Sequence, residues 1–280
     1  MTEKEIFSLF IDCKKSRVYF RALKWNGKRR CPNCFYERKI YRLSSGFLRC
    51  GRCRRDFSDF TGTPFAKIKI PFNKLAYLLH AFVLGVPAFR IHREVGINVK
   101  TIERIFRVFR KAIYDNSLSE LHRLKGKIEM DETMFGGYRA GRRGWGAEGK
   151  TIVFGIYKRN GEVIVFPVPN RRAETLKPLI EDHTKKGSVY YTDDYEGYAC
   201  VEARGKHVTI LKAKGKPVKL HINGIEGFWS YAKTWLYHYR GVPRQYFHHY
   251  LKEIEFRFNN RNKNLFRQIA KILMNFGGAI

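Results

Sequence analysis

The stretch Lys127-Ile128-Glu129-Met130-Asp131-Glu132-Thr133 follows Gly126 and marks the point where helical patterning gives way to strands. Its reading as a β-strand decides the fold, because two more β-rich stretches succeed it, Thr151–Arg159 and Glu162–Val168. Arg159-Asn160-Gly161-Glu162 supplies the hairpin turn between those two. A helix is expected next, from Ala173 to Lys186, closed by Gly187 just past its end. Ser188–Thr192 and His207–Lys212 read as short strands, and from Ile222 the chain is helical to Phe276 apart from an interruption near Gly241-Val242-Pro243. This order predicts an α/β domain over 121–280 around one mixed sheet.

Three acids stand out in that domain. Two are expected at strand ends: Asp131 just before the loop Phe135-Gly136-Gly137, and Asp193 after Val189-Tyr190-Tyr191-Thr192 and before Asp194. Carboxylates at strand ends of one sheet can converge on a crevice, where bare charge needs a metal ion or water to neutralise it. Glu226 heads a helix in His221-Ile222-Asn223-Gly224-Ile225-Glu226-Gly227-Phe228-Trp229. Residues 203–280 hold fifteen Lys and Arg but only three acids, Glu226, Glu253 and Glu255, which makes a carboxylate there informative. Two aspartates and a glutamate in this order can hold two divalent cations, for which hard Mg²⁺ suits carboxylate oxygens. Taken singly, each acid is more often a cap or a surface charge.

Outward toward the N-terminus, Cys31-Pro-Asn-Cys34 and Cys50-Gly-Arg-Cys53 are separated by fifteen residues. This is the ligand spacing of a structural Zn²⁺ site, with strand, turn and strand between the two knuckles. Two disulfides are the competing reading; they fit poorly with the leftover Cys13 and Cys200 and with no signal peptide ahead of the cysteines. A helix is expected over Glu3 to Lys14, with Ile6, Phe7, Leu9 and Phe10 on its apolar side, and the ribbon closes a first region, 1–60. Residues 61–120 read as a helical region built from Phe72–Leu84, Pro87–Val95 and Val99–Ile113. The break Gly96-Ile97-Asn98 is a helix-turn-helix signature, and the last helix carries Arg104, Arg107, Arg110 and Lys111, suited to DNA phosphates and base edges.

The formal net charge of +30 requires counter-charge, most commonly nucleic-acid phosphate. A chain with 44% hydrophobic residues is globular rather than a disordered basic tail. The longest apolar stretch, Leu75 to Phe89, is too short to span a bilayer, so a cytoplasmic, chromosome-associated protein without a membrane partner is expected.

The ordered elements resemble the DDE transposases of bacterial insertion sequences, which join an N-terminal zinc ribbon to an RNase H-like catalytic domain and are relatives of the eukaryotic Merlin elements. The matching stretches are Cys31–Cys53, Glu129–Thr133 with Phe135-Gly136-Gly137, Thr192-Asp193, and His221–Ser230 with Lys233. The resemblance implies catalytic roles for Asp131, Asp193 and Glu226, a DNA contact at Lys233, structural Zn²⁺ on the four cysteines, and catalytic Mg²⁺ replaceable by Mn²⁺. It also implies double-stranded DNA partners, both terminal inverted repeats and target, and a homo-oligomer on DNA. Asn223 and Asp194 are neighbours that compete for metal contacts in this reading. Trp229, Trp235 and the nearby tyrosines read as packing residues. Two other functions remain open: an RNase H-like nuclease without strand transfer, and a transposase-derived DNA-binding regulator without catalysis.

Overall fold

A computed structural model describes residues 2–119, 123–136, 150–210, 221–239 and 241–275. Gly137 of the expected Phe135-Gly136-Gly137 loop, Lys212 and Phe276 lie outside the described residues. The chain divides into two compact units: residues up to Asn116 together with the stretch from Arg261, and Ser117–Asn260.

The first unit begins with two helices rather than the one expected over Glu3 to Lys14. In α1 (Glu3–Ile11), Thr2 and Glu5 cap each other's backbone N–H groups. Asp12 then turns extended (φ −106°, ψ 109°) and its carboxylate caps α2 (Cys13–Trp25) through the N–H groups of Lys14 and Lys15. An aspartate in a helical pattern thus ends one helix and starts another. Strands β1 (Ile40–Arg42), β2 (Leu48–Cys50) and β3 (Asp56–Phe57) form an antiparallel sheet in that order, with Gly46 at φ +82° in the turn between the first two. Helices α3 (Phe72–Val83), α4 (Ala88–Val95) and α5 (Val99–Ser119) follow. Gly96 takes φ +62° at the end of α4, and the Asn98 side chain accepts from the N–H of Lys100 at the start of α5.

Arg110 departs from the expected exposed arginine row. It is 2% exposed, with its guanidinium 5.2 Å from the centre of the Phe82 ring. The helical period explains this: Ile102, Ile105, Phe106 and Phe109 are buried, and Arg110 falls on their side of the helix, whereas Arg104 and Arg107 are exposed. As placed, Arg110 presents no surface to a partner.

The second unit is a five-stranded mixed sheet with strand order β6-β5-β4-β7-β8. Strands β4 (Lys127–Phe135), β5 (Thr151–Lys158) and β6 (Val163–Val168) form an antiparallel meander, and β7 (Ser188–Thr192) and β8 (Gly205–Thr209) run parallel to β4. The turn from β5 to β6 is as the sequence predicts, with Asn160 at φ +58° and the Lys158 N–H bonded to Glu162 O. Between β6 and β7 lies α6 (Ala173–His183), which stops three residues before its expected end. Thr184 turns extended (φ −126°) and bridges to Leu124, so Gly187 (φ +77°) leads into β7 instead of capping the helix.

The strand period of two divides the sheet into two faces. Ile128, Met130, Phe154, Ile156 and Tyr190 pack with Leu176 and Ile180 of α6. On the opposite face, Val153, Tyr157 and Tyr191 pack with Ile225, Phe228 and Trp229 of α7 (Asn223–Tyr237) and Leu251 and Ile254 of α8 (Phe247–Asn259). The expected helical run from Ile222 therefore splits, and its last piece, α9 (Leu265–Asn275), leaves this unit. Its buried residues Phe266, Ile269, Ala270 and Leu273 belong to the first unit, where α9 packs on α2 and α3. A boundary at 121 followed by one domain to the C-terminus does not describe this arrangement. Among the described residues, no helix is long and apolar enough to cross a membrane.

Candidate metal centres

The four ribbon cysteines are free thiols whose sulfurs all lie within 4.8 Å of one another. Cys31 and Cys53 Sγ atoms are 3.5 Å apart and those of Cys34 and Cys50 are 3.6 Å apart. A tetrahedron with Zn–S near 2.3 Å has edges of about 3.8 Å, so the cluster already has nearly the dimensions of that site. The two knuckles repeat one backbone design. Each pair closes on a residue of positive φ, Phe35 (57°) and Arg54 (61°), whose N–H bonds to the carbonyl of the first cysteine. Backbone N–H groups of Asn33 and Arg52 also point at the sulfurs of Cys31 and Cys50. The backbone N–H of Arg55 pulls the Cys53 thiol down to about 6, toward the thiolate that a metal binds, while Cys34, against the pull of the Tyr36 backbone N–H, is pushed up to about 11 by burial and its bonds to the other three cysteines. This arrangement is able to hold zinc.

The three acids come from separate elements. Asp131 is the middle residue of β4 rather than at its end as expected, because that strand runs on to Phe135; Asp193 directly follows β7, and Glu226 is in the first turn of α7. Asp131 is half-buried, and Trp229 Nε1 donates to its Oδ2 at 3.0 Å. Burial, then the negative charge of Asp193 and to a smaller degree that of Glu226, push the Asp131 carboxyl up to about 6, against the pull of the Trp229 N–H. Among the described residues, Asp193 Oδ1 is buried with no hydrogen-bond donor. Glu226 is exposed; the other acids of its basic tract are buried, Glu253 pairing with Arg257 and Glu255 with Lys252. The three carboxylates therefore share one electrostatic space and one has an unbonded buried oxygen, which fits a site for hard cations. They do not close to contact: among the described residues only the cysteines form a group of three or more ligands within 4.8 Å.

The other candidates are placed as follows. Asp194 is exposed beside Asp193, Asn223 is exposed at the first position of α7, and Lys233 is exposed two turns beyond Glu226 on that helix. Arg104 and Arg107 are exposed on α5, in the other unit.

Several residues at the site are missed by sequence reasoning. Trp229 reads as packing but also donates to Asp131. Gly155 stands opposite Asp131 in the β4–β5 register, and a Cβ there would come within 2.6 Å of the Trp229 ring and 2.9 Å of Ile225 Cδ1. The missing side chain is what lets the indole reach the acid. On the other face of β4, Glu132 is 5% exposed, accepts a 2.6 Å bond from Tyr198 Oη, and is pushed up to about 7 mainly by burial. Only alternation along β4 could have flagged it, since Asp131 and Glu132 must face opposite ways.

The ISXO2-like transposase domain family matches residues 123–259, which hold all three acids. A Halobacterium salinarum relative, an uncharacterized protein in transposable element ISH50, is 25% identical over 94% of both chains. An uncharacterized transposase-like protein of Haemophilus influenzae is 36% identical over 35% of this chain and 82% of its own. Among solved structures, a Mos1 transposase paired-end complex with left transposon end aligns over 70% of this chain and 78% of its own at 11% identity. Its TM-score of 0.22 is too low for that likeness to bear on the fold. The matched domain and the two relatives place the chain in the ISXO2-like transposase family.

Proposed function

We propose that this chain is a DNA transposase that binds the terminal inverted repeats of its element, cleaves DNA there, and joins the freed 3′-hydroxyl to target DNA. The observation that carries this reading is the environment of Asp131, whose carboxyl is pushed up by burial and by the charges of Asp193 and Glu226. Acids from three elements that repel one another in a shared space favour cations, and the chain as a whole favours DNA, with a net charge of +30. The strand order, an antiparallel meander followed by two strands parallel to its first member, supports an RNase H-like domain.

Asp131, Asp193 and Glu226 would hold the divalent ions, Mg²⁺ or in its place Mn²⁺. Such ions supply Lewis-acid stabilisation of the leaving oxygen and activate water or a 3′-hydroxyl. The chain's own contribution is geometric. Trp229 orients Asp131, the first turn of α7 carries Glu226, and Lys233 is an exposed cation on the same helix suited to a phosphate. Asn223 and Asp194 are neutral or exposed neighbours with lesser roles. Helices α4 and α5 act as a helix-turn-helix in which Arg104 and Arg107 meet DNA, the cysteines hold structural zinc, and the protein works as a homo-oligomer on chromosomal DNA.

The test is single-turnover cleavage of pre-bound element ends, with Mg²⁺ and with Mn²⁺. Asp131→Asn, Asp193→Asn and Glu226→Gln should bind ends normally yet lose cleavage by more than about 100-fold, beyond what removal of an outer-shell partner costs. Asn223→Ala should be milder, because a neutral amide adds little to Mg²⁺ affinity. A dead Asn223→Ala beside an active Glu226→Gln would move the third ligand to Asn223. Normal cleavage by all four would overturn the reading.

A further inference from the structure

One residue pair touches all three acid-bearing elements one or two residues before their acids. Glu129 precedes Asp131 by two residues on β4, so it lies on the same face, and it is 1% exposed. Its Oε1 accepts from Arg159 Nε at 2.7 Å, and its Oε2 accepts from the backbone N–H of Ile225 at 2.9 Å, the residue before Glu226. Arg159 also donates from Nη2 to the carbonyl of His221, and its guanidinium lies 3.8 Å from the centre of the Tyr191 ring. Tyr191 precedes Asp193 by two residues. Two residues along a strand are about 6–7 Å, so this layer lies directly behind the acids.

Helix α7 depends on it. Ile222 at the N-cap offers no side-chain hydrogen bond to the free N–H groups of the first turn. The Glu129 carboxylate, coming from the sheet, performs that capping and brings negative charge to the positive end of the helix dipole. Gly224 permits the approach: a Cβ there would sit 2.2 Å from Tyr157 Cε1 and 2.8 Å from Glu129 Oε2.

We propose that Glu129, Arg159 and Tyr191 form a positioning network that sets the register of β4, β7 and α7, and so fixes Glu226 relative to Asp131 and Asp193. The network rests on the metal-site reading for its consequence, though not for its existence. None of its members touches the reacting atoms; each acts through the element it holds.

The full-length protein tests this with Arg159→Met, Glu129→Ala and the conservative Arg159→Lys and Glu129→Gln, using two readouts. Backbone hydrogen exchange should accelerate at least about 10-fold at Ile225 and Glu226 in Arg159→Met and Glu129→Ala, while β5 and β6 stay protected. Mn²⁺ affinity, measured by calorimetry without DNA, should fall by about 10- to 100-fold, as for other outer-shell partners of metal ligands. Glu129→Gln keeps an oxygen for the Ile225 N–H and should retain more affinity than Glu129→Ala; it and Arg159→Lys decide the matter if the harsher variants fail to fold. Uniform loss of protection across the sheet with unchanged Mn²⁺ affinity would reduce the network to ordinary stability and overturn the proposal. So would unchanged exchange at Ile225. A wild-type Mn²⁺ affinity in Glu226→Gln would instead defeat the metal-site reading, leaving the exchange result to decide the network.

Discussion

On the proposed function the ribbon and the carboxylate site each hold a cation, and they are built for it in opposite ways. The ribbon draws its four ligands from 23 consecutive residues, Cys31 to Cys53, and gathers them within 4.8 Å. The carboxylates come from a span of 96 residues, Asp131 to Glu226, on three elements, and they stand further apart. Thiols that accept backbone N–H groups and hydrogen-bond to one another can pack together before a metal arrives. Carboxylates cannot, because each raises the cost of ionising the next. Removing a ligand should therefore destabilise one site and relieve the other.

The largest effect is expected at the ribbon. Structural zinc in small domains carries apparent binding energies of about 10–16 kcal/mol, much of it folding energy. The ribbon's own core is small, chiefly Leu48 and Phe57 beside the cysteines. Cys31→Ser should lose one equivalent of zinc, unfold the ribbon and weaken DNA-end binding, while the five-stranded sheet keeps its protection from hydrogen exchange. Full zinc occupancy in that variant, or disulfides at these cysteines in the native protein, would erase the contrast.

A smaller effect sharpens it from the side of packing. Gly155→Ala should force the Trp229 ring off Asp131 or push Ile225 aside, costing about 1–3 kcal/mol as overpacked cores do. Cleavage should fall while zinc content and end binding hold, since the change is confined to the carboxylate unit. Thermal unfolding and single-turnover rates, taken together, check this; unchanged values for both would mean the indole has room to spare.

The smallest effect has the opposite sign. The Asp131 carboxyl ionises at about 6 in the folded chain against 3.8 for the free group. The folded state therefore binds more protons between those values, and stability of the metal-free protein falls as pH rises from about 4 to about 6, then stays low. The shift corresponds to about 3 kcal/mol at most, and because Asn also weakens the Trp229 bond, Asp131→Asn should raise metal-free stability at pH 7.5 by only on the order of 1–2 kcal/mol, with the gain vanishing below pH 4. Denaturant unfolding in a chelator mild enough to leave the ribbon zinc in place measures it. A destabilised Asp131→Asn at pH 7.5 would show that the Trp229 bond outweighs the repulsion.

Sequence alone determined what depends on near neighbours. The cysteine knuckles, the hairpin at Asn160-Gly161, the strand Ser188–Thr192, and the places of Asp193 after a strand and Glu226 at a helix start are written in spacing and turn chemistry, which act over a few residues. Its failures had the same root: Asp12, Thr184 and Arg110 each fit a helical pattern until a cap, a bridge to Leu124 or the facing of a hydrophobic stripe decided otherwise. The tertiary structure alone decided that α9 leaves the sheet for the first unit, that Gly155 makes room for Trp229 to reach Asp131, and that Glu129 caps a helix 96 residues away. Those contacts join segments distant in the chain, and a one-dimensional pattern records which residues are able to bond but not which ones the folded core brings within reach.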